Sequence, residues 1–352
     1  MKNLLDSRVN NLDFARLLFA FLVIYSHSYP LSGQAEAEPF YRATHGQLTG
    51  GDIAVSAFFF ISGFLITASY VHSKSILQYV KKRIARIYPA FIVLTMFDLF
   101  VVLPISHGHL TGSSLPRQIL SVVWKTLSLA SFSTSNAFLL NPFPAVINGS
   151  LWTIRFEFAC YLGVILLGVC GLINARGRTS KLLVLTLVAT MCFAFSRFGL
   201  YGIGKFDDPH HSYFEFLLRL APIYLSGVVF YLYRDRVTLS LSYALLAALV
   251  LVIAAFVPRG LMLAMPTAGG YLLLYLAFNP KIHLHHFARK GDFSYGTYLY
   301  AFPVQQLIMQ WNHTTMTPVK LFAISALITL CLAVLSWHMI ERHFLSRSRV
   351  LH

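Results

Sequence analysis

Charge is what this chain has least of. Asp, Glu, Lys and Arg together make up 12% of its 352 residues, against 57% hydrophobic residues. An ordinary soluble domain carries about 25% charge. A chain of this length folded in water would form roughly two domains, and there is too little charge here to coat them. Acidic side chains number only 13. Cysteine is sparse as well: Cys160, Cys170, Cys192 and Cys331 all lie in apolar runs, and no CxxC pair exists. That pattern gives neither a disulfide framework nor a zinc motif. These shortages exclude a soluble enzyme, a secreted disulfide scaffold and a disordered regulator.

Long apolar runs are what the chain has in abundance. A bilayer core of about 30 Å needs about 20 apolar residues in a helix. Such runs fall at 12–31, 52–71, 87–105, 149–173, 181–198, 214–233, 239–257, 261–278, 294–311 and 319–340. They predict an all-α polytopic membrane protein with about ten transmembrane helices. The weaker run 117–133 holds Lys125 and several serines, and is predicted to be a re-entrant or external helix. The first run contains Asp13 and Arg16 and ends in Tyr-Ser-His-Ser-Tyr-Pro, without a small-residue cleavage site. It is therefore read as a permanent helix, not a signal peptide.

Lys and Arg number 28, giving a net charge of +15. In a soluble protein this would point to nucleic acid. With the N-terminus in the cytosol and the ten spans alternating, 18 basic residues fall on cytosolic segments and 7 outside. That is the positive-inside pattern. The excess is then a topology signal, both termini are expected in the cytosol, and no nucleic-acid partner is expected. Residues 1–352 are read as a single transmembrane domain with no soluble domain appended.

Ionisable residues within spans are expensive and usually face the bundle interior. Asp13 and Arg16 share a helical face at i, i+3. They are either a local boundary pair or a cation turned toward an anionic or carbonyl group. His27 lies eleven residues beyond Arg16, about 16 Å along the axis. It is either an interfacial residue or a general base, with an ordinary imidazole pKa of about 6.5. Asp52 and Glu157 are expected at a similar depth, and a carboxylate is the usual partner of a catalytic imidazole. The plainer reading of Asp52 is a helix N-terminal carboxylate favoured by the dipole. That of Glu157 is a structural pair with Arg155 or Arg219. Arg83 and Arg86, spaced i, i+3 in a cytosolic basic stretch, suit phosphate oxygens; ordinary membrane anchoring explains them too. His283, His285 and His286 have no Cys beside them and no metal site is expected.

As a set, these motifs resemble the membrane-bound acyltransferase family 3. The resemblance rests on Leu12-Asp13-Phe14-Ala15-Arg16 with Tyr25-Ser26-His27, and on Phe58-Phe59-Phe60-Ile61-Ser62-Gly63-Phe64-Leu65. It continues with Lys82-Arg83-Ile84-Ala85-Arg86-Ile87-Tyr88-Pro89 and Ser150-Leu151-Trp152-Thr153, followed by Glu157. Next come Arg219 with Tyr224-Leu225-Ser226-Gly227, and then Phe293-Ser294-Tyr295-Gly296-Thr297-Tyr298. Six motifs in one order over residues 12–303 make it specific.

The resemblance implies O-acyl transfer, usually of acetyl, from cytosolic acyl-CoA to a hydroxyl. The implied acceptors are sugars of surface polysaccharide, lipopolysaccharide or signalling oligosaccharides, and the implied location is a bacterial inner membrane. It ties His27, Arg16, Arg83 and Arg86 to activity and matches Glu157 as well. On these residues an acyl-CoA donor would rest its phosphates on Arg83 and Arg86, with Arg16 between them and the base, and Glu157 or Asp52 would orient the catalytic His27. Arg155, Trp152, Ser62 and Tyr295 become candidates for substrate or oxyanion contacts. Two positions depart from the family pattern: Ala301 stands where many members have a histidine, and Ser56 where many have an acid. The acceptor cleft is expected from the outer segments 32–50, 106–148 and 199–213. A transporter or flippase of a glycan or small polar substrate is the second class that fits intramembrane charges and Pro- or Gly-broken helices.

Overall fold

The computed structural model describes residues 10–132, 134–173, 181, 185, 186, 190, 213–284, 291–312 and 315–345. The fifth expected span, 181–198, lies almost wholly outside the described residues, as do His285 and His286. Ten principal helices carry the described chain. They are α1 (Leu12–Leu31), α2 (Gly50–Val71), α3 (Ile76–Ile105), α4 (Leu115–Leu127) and α5 (Trp152–Val169), followed by α6 (Tyr213–Leu232), α7 (Leu241–Phe256), α8 (Gly260–Phe278), α9 (Ser294–Trp311) and α10 (Pro318–Leu345). The strands among the described residues are a two-residue antiparallel pair, His109–Leu110 with Thr134–Ser135.

Six of the helices, α1, α2, α3, α5, α8 and α10, are long and apolar enough to cross a membrane. α7 is shorter but instructive. Its buried residues are Ala244, Ala247 and Ala254, while Leu245 is 62% exposed and Leu249 54%. Water would not tolerate that distribution, since small residues are inside and large apolar ones outside. Lipid does, because helices packing in a bilayer put small residues at their contacts. α10 repeats the pattern. Leu321, Ser325, Thr329 and Ala333 are buried at every fourth position, and Leu327 and Leu335 are exposed. The protein is a multi-pass membrane protein.

α3 differs from expectation. Its span was expected to begin at 87, but the helix starts at Ile76 and carries Lys81, Lys82, Arg83 and Arg86 on its first turns. Hydropathy ends at those charges, whereas helix propensity does not: Lys, Arg and Ala are all good helix formers. The run expected at 117–133 is helical over Leu115–Leu127. Thirteen residues rise about 20 Å, short of a bilayer core.

The chain divides into two compact units, each described by itself. One comprises residues 1–19, 39–79 and 156–290; the other comprises 20–38, 80–155 and 291–352. In the first, α2 and α6 meet through glycines. A Cβ on Gly63 would collide with the carbonyl oxygen of Tyr224, and one on Gly227 with that of Phe60. The Ser-Gly-Phe-Leu and Leu-Ser-Gly motifs are thus two halves of one backbone-to-backbone crossing.

In the second unit, α9 is the scaffold. Fourteen of its eighteen residues are buried. Tyr298 Oη donates to the Ser150 carbonyl at 2.9 Å and shares a 2.7 Å hydrogen bond with Thr153 Oγ1. Asn148 Nδ2 donates to the Leu299 carbonyl. Gln306 Nε2 donates to the carbonyls of Phe143 and Val146. Two turns of α9, one at Tyr298–Leu299 and one at Gln306, therefore fix the segment 143–153.

Candidate active site

His27 stands near the end of α1, in the unit built on α9. Gln305 of α9 is fully buried and clamps the turn that carries His27, its Nε2 donating to the Ile24 carbonyl at 2.9 Å and to Ser28 Oγ at 2.8 Å. The His27 ring lies edge-on to Phe302, centroids 5.4 Å apart. Phe302 in turn packs on Phe143. It also covers Gly149, where a Cβ would come within 2.7 Å of the ring. The imidazole is thus positioned by a helix clamp on one side and an aromatic wall on the other. Ala301, the departure from the family pattern, is wholly buried beside that wall.

The basic turn of α3 belongs to the same unit. Arg86 Nη2 donates to Asp292 at 2.6 Å, and Nη1 lies 3.7 Å from Glu341. Its guanidinium carbon also sits 5.4 Å from the centre of the Tyr295 ring. Tyr295 Oη donates to the carbonyl of Ile87. Two residues expected in separate roles, Arg86 and Tyr295, are therefore one cluster. Asp292 further accepts from the backbone and hydroxyl of Ser294, holding the start of α9. Asp292 and Glu341 were missed in the sequence. The available signal was the rarity of acids, since each of 13 in a chain like this needs a partner. Arg86 has its charge more than matched by these two carboxylates. Arg83, Lys81 and Lys82 lie on the same turns of α3. Arg155 donates from Nε to the Ser128 carbonyl at 3.2 Å, and Trp152 is partly buried at the start of α5.

The remaining candidates lie in the other unit. Asp52 and Thr49 form a reciprocal cap at the start of α2. Asp52 Oδ2 accepts from the Thr49 backbone and hydroxyl, and Oδ1 accepts from Arg219 Nη2. Both residues of this ion pair are 2% exposed. The helix-terminal reading of Asp52 holds, with Arg219 added. Arg219, which the structural reading offered to Glu157, pairs with Asp52 instead. Glu157 Oε1 accepts from Ser62 Oγ at 2.8 Å and from Tyr161 Oη at 2.5 Å. Ser62 and Glu157 are thus joined directly. Arg16 and Asp13 approach to 3.9 Å on α1, both partly exposed. Such a pair adds little stability.

A lipid-facing helical bundle that positions a histidine, a basic helical turn and a set of buried polar clusters has the makings of a membrane-bound transferase. Comparison with known proteins agrees. The acyltransferase domain family 3 matches residues 9–338, and the chain belongs to that family. It is an acyltransferase of the O-acetyltransferase kind. An O-acetyl transferase of Shigella phage Sf6 is 30% identical over 350 residues, covering 96% of this chain and 97% of the relative. Nodulation protein 10 of Rhizobium leguminosarum bv. viciae is 28% identical over 167 residues, covering 44% of this chain and 42% of that protein. No solved structure matches the chain.

Proposed function

We propose that the protein transfers an acyl group, acetyl being the first choice, from cytosolic acyl-CoA to a hydroxyl of a cell-surface or exported carbohydrate. In this reading it is a ten-span protein of the bacterial inner membrane, with both termini in the cytosol. The observation that carries the reading is the clamped His27, in the same compact unit as the basic turn of α3. The near full-length likeness to an O-acetyl transferase supports it.

His27 removes the proton from the acceptor hydroxyl. The oxygen attacks the thioester carbonyl, forming the new C–O bond. Collapse of the tetrahedral intermediate breaks the C–S bond, and the leaving CoA sulfur takes the proton back from the imidazolium. The oxyanion between these steps needs a cation or donor; Arg155 is the candidate in this unit. Arg83 and its lysine neighbours hold the CoA phosphates. Asp52 and Glu157, engaged by Arg219, Thr49, Ser62 and Tyr161, act as framework.

Mass spectrometry of surface glycans from cells with and without the gene tests the activity. An acetyl-sized ester present only with the gene is the expected result. Loss of the whole glycan instead supports a transporter or flippase. His27→Ala should lower transfer by about 10²–10⁴-fold, the usual contribution of a general base, with membrane insertion intact. Wild-type turnover in that variant would remove His27 from the mechanism.

A further inference from the structure

In the unit built on α9, the outer part of α3 and the segment 130–151 enclose a cavity of about 310 Å³. That lies at the small end of ligand pockets, about 300–1,000 Å³. Asp98 lines it and is 2% exposed. Asn148 lines the same cavity. Asn148 is itself fixed, donating to the Leu299 carbonyl and accepting from the Ser150 backbone. Yet Asp98 Oδ1 has no hydrogen-bond partner among the described residues. A buried acceptor without a donor is costly, and native folds keep few of them.

Local backbone shows that the site is built. Asp98 opens a π-helical turn, Asp98–Val102, within α3; such turns occur frequently at functional sites. Ala145, also lining the cavity, holds a left-handed φ of 64° and is pinned by a 2.8 Å hydrogen bond to the Ala137 carbonyl. Ser131 Oγ is tied to the Asn148 carbonyl.

We propose that this cavity is the subsite for one pyranose ring of the acceptor, with Asp98 Oδ1 accepting hydrogen bonds from its ring hydroxyls. This rests on the carbohydrate reading above. A pyranose has hydroxyl edges and C–H faces, and the cavity matches both. Asp98, Ser131, Thr134 and Asn148 supply polar contacts; Phe132 and Leu151 supply apolar wall. A metal ion fits less well, because no cluster of three metal-ligating side chains exists among the described residues. The same unit carries His27. Phe302, against which His27 packs, also contacts Phe143 and covers Gly149, in the very segment that borders the cavity.

The test is saturation-transfer NMR on the full-length protein in lipid nanodiscs, with a panel of methyl hexopyranosides as probe. Wild-type protein should transfer saturation to the ring protons of at least one of them. Asp98→Asn replaces the acceptor by a donor-bearing amide of the same shape and should weaken binding about tenfold or more. Ser131→Leu fills the cavity from another side, and serves also if Asp98→Asn fails to fold. In acetyl-transfer assays the same variants should raise the acceptor KM, not the acetyl-CoA KM. Equal sugar signals in wild type and both variants would overturn the subsite. So would no sugar signal from a wild-type protein that still acetylates glycan in cells, with the carbohydrate reading left standing. Sugar binding that depends on Asp98, in a protein yielding no ester on the surface glycan, would uphold the subsite and overturn the choice of that glycan as acetyl acceptor.

Discussion

Arg86 reaches Asp292 at 2.6 Å while standing 3.7 Å from Glu341, so one cation joins the residues leading into α9 to the end of α10. Removing it leaves two mostly buried acids facing each other. Arg86→Ala should therefore destabilise the protein by about 3–5 kcal/mol, the usual cost of orphaning a buried charge. Arg83→Ala should raise the KM for acetyl-CoA. Thermal melting in detergent, run beside donor kinetics, separates the two. Wild-type melting in Arg86→Ala would return that residue to the donor site.

The Asp52–Arg219 pair makes a second, independent prediction. Each single variant, Asp52→Asn or Arg219→Met, strands a partner that is 2% exposed. Each should lose about 3–5 kcal/mol. The double variant should recover part of that loss, because neither charge is then alone. Molecules that remain folded should keep their turnover in Asp52→Asn. A double-mutant cycle with no coupling, or a folded Asp52→Asn protein without activity, would place Asp52 in the chemistry.

The α2–α6 crossing predicts an unusual sensitivity to one methyl group. Gly63→Ala pushes a Cβ against the Tyr224 carbonyl, a backbone atom that has no rotamer to move to. Overpacking of this kind costs about 1–3 kcal/mol. The melting temperature should fall, and Gly227→Ala should behave likewise. In contrast, Gly163→Ala should be silent, since nothing lies within 4 Å of its added Cβ.

Among the described residues the apolar runs mark the helices well, because in lipid a helix is nearly the only way to satisfy backbone groups. The start of α3 was the exception, since its first turns are charged and hydropathy has no view of them. The motifs were legible as residues, but their partnerships were not. Arg219 with Asp52 joins positions 167 apart in sequence, and Arg86 with Asp292 joins positions 206 apart. No local pattern reports such distances. The Thr49–Asp52 cap was legible in principle, a Thr followed three residues later by an acid. Asp98 was visible only as a costly intramembrane acid, because its cavity is made by a segment with no periodicity.

α3 is a single covalent ruler. Arg86 and Asp98 sit twelve residues apart on it, about 18 Å along its axis. A one-residue insertion between them would turn Asp98 by about 100° and swing it out of the cavity lining. Changes in the segment that borders the cavity should therefore be tolerated better than a change in the length of this stretch of helix.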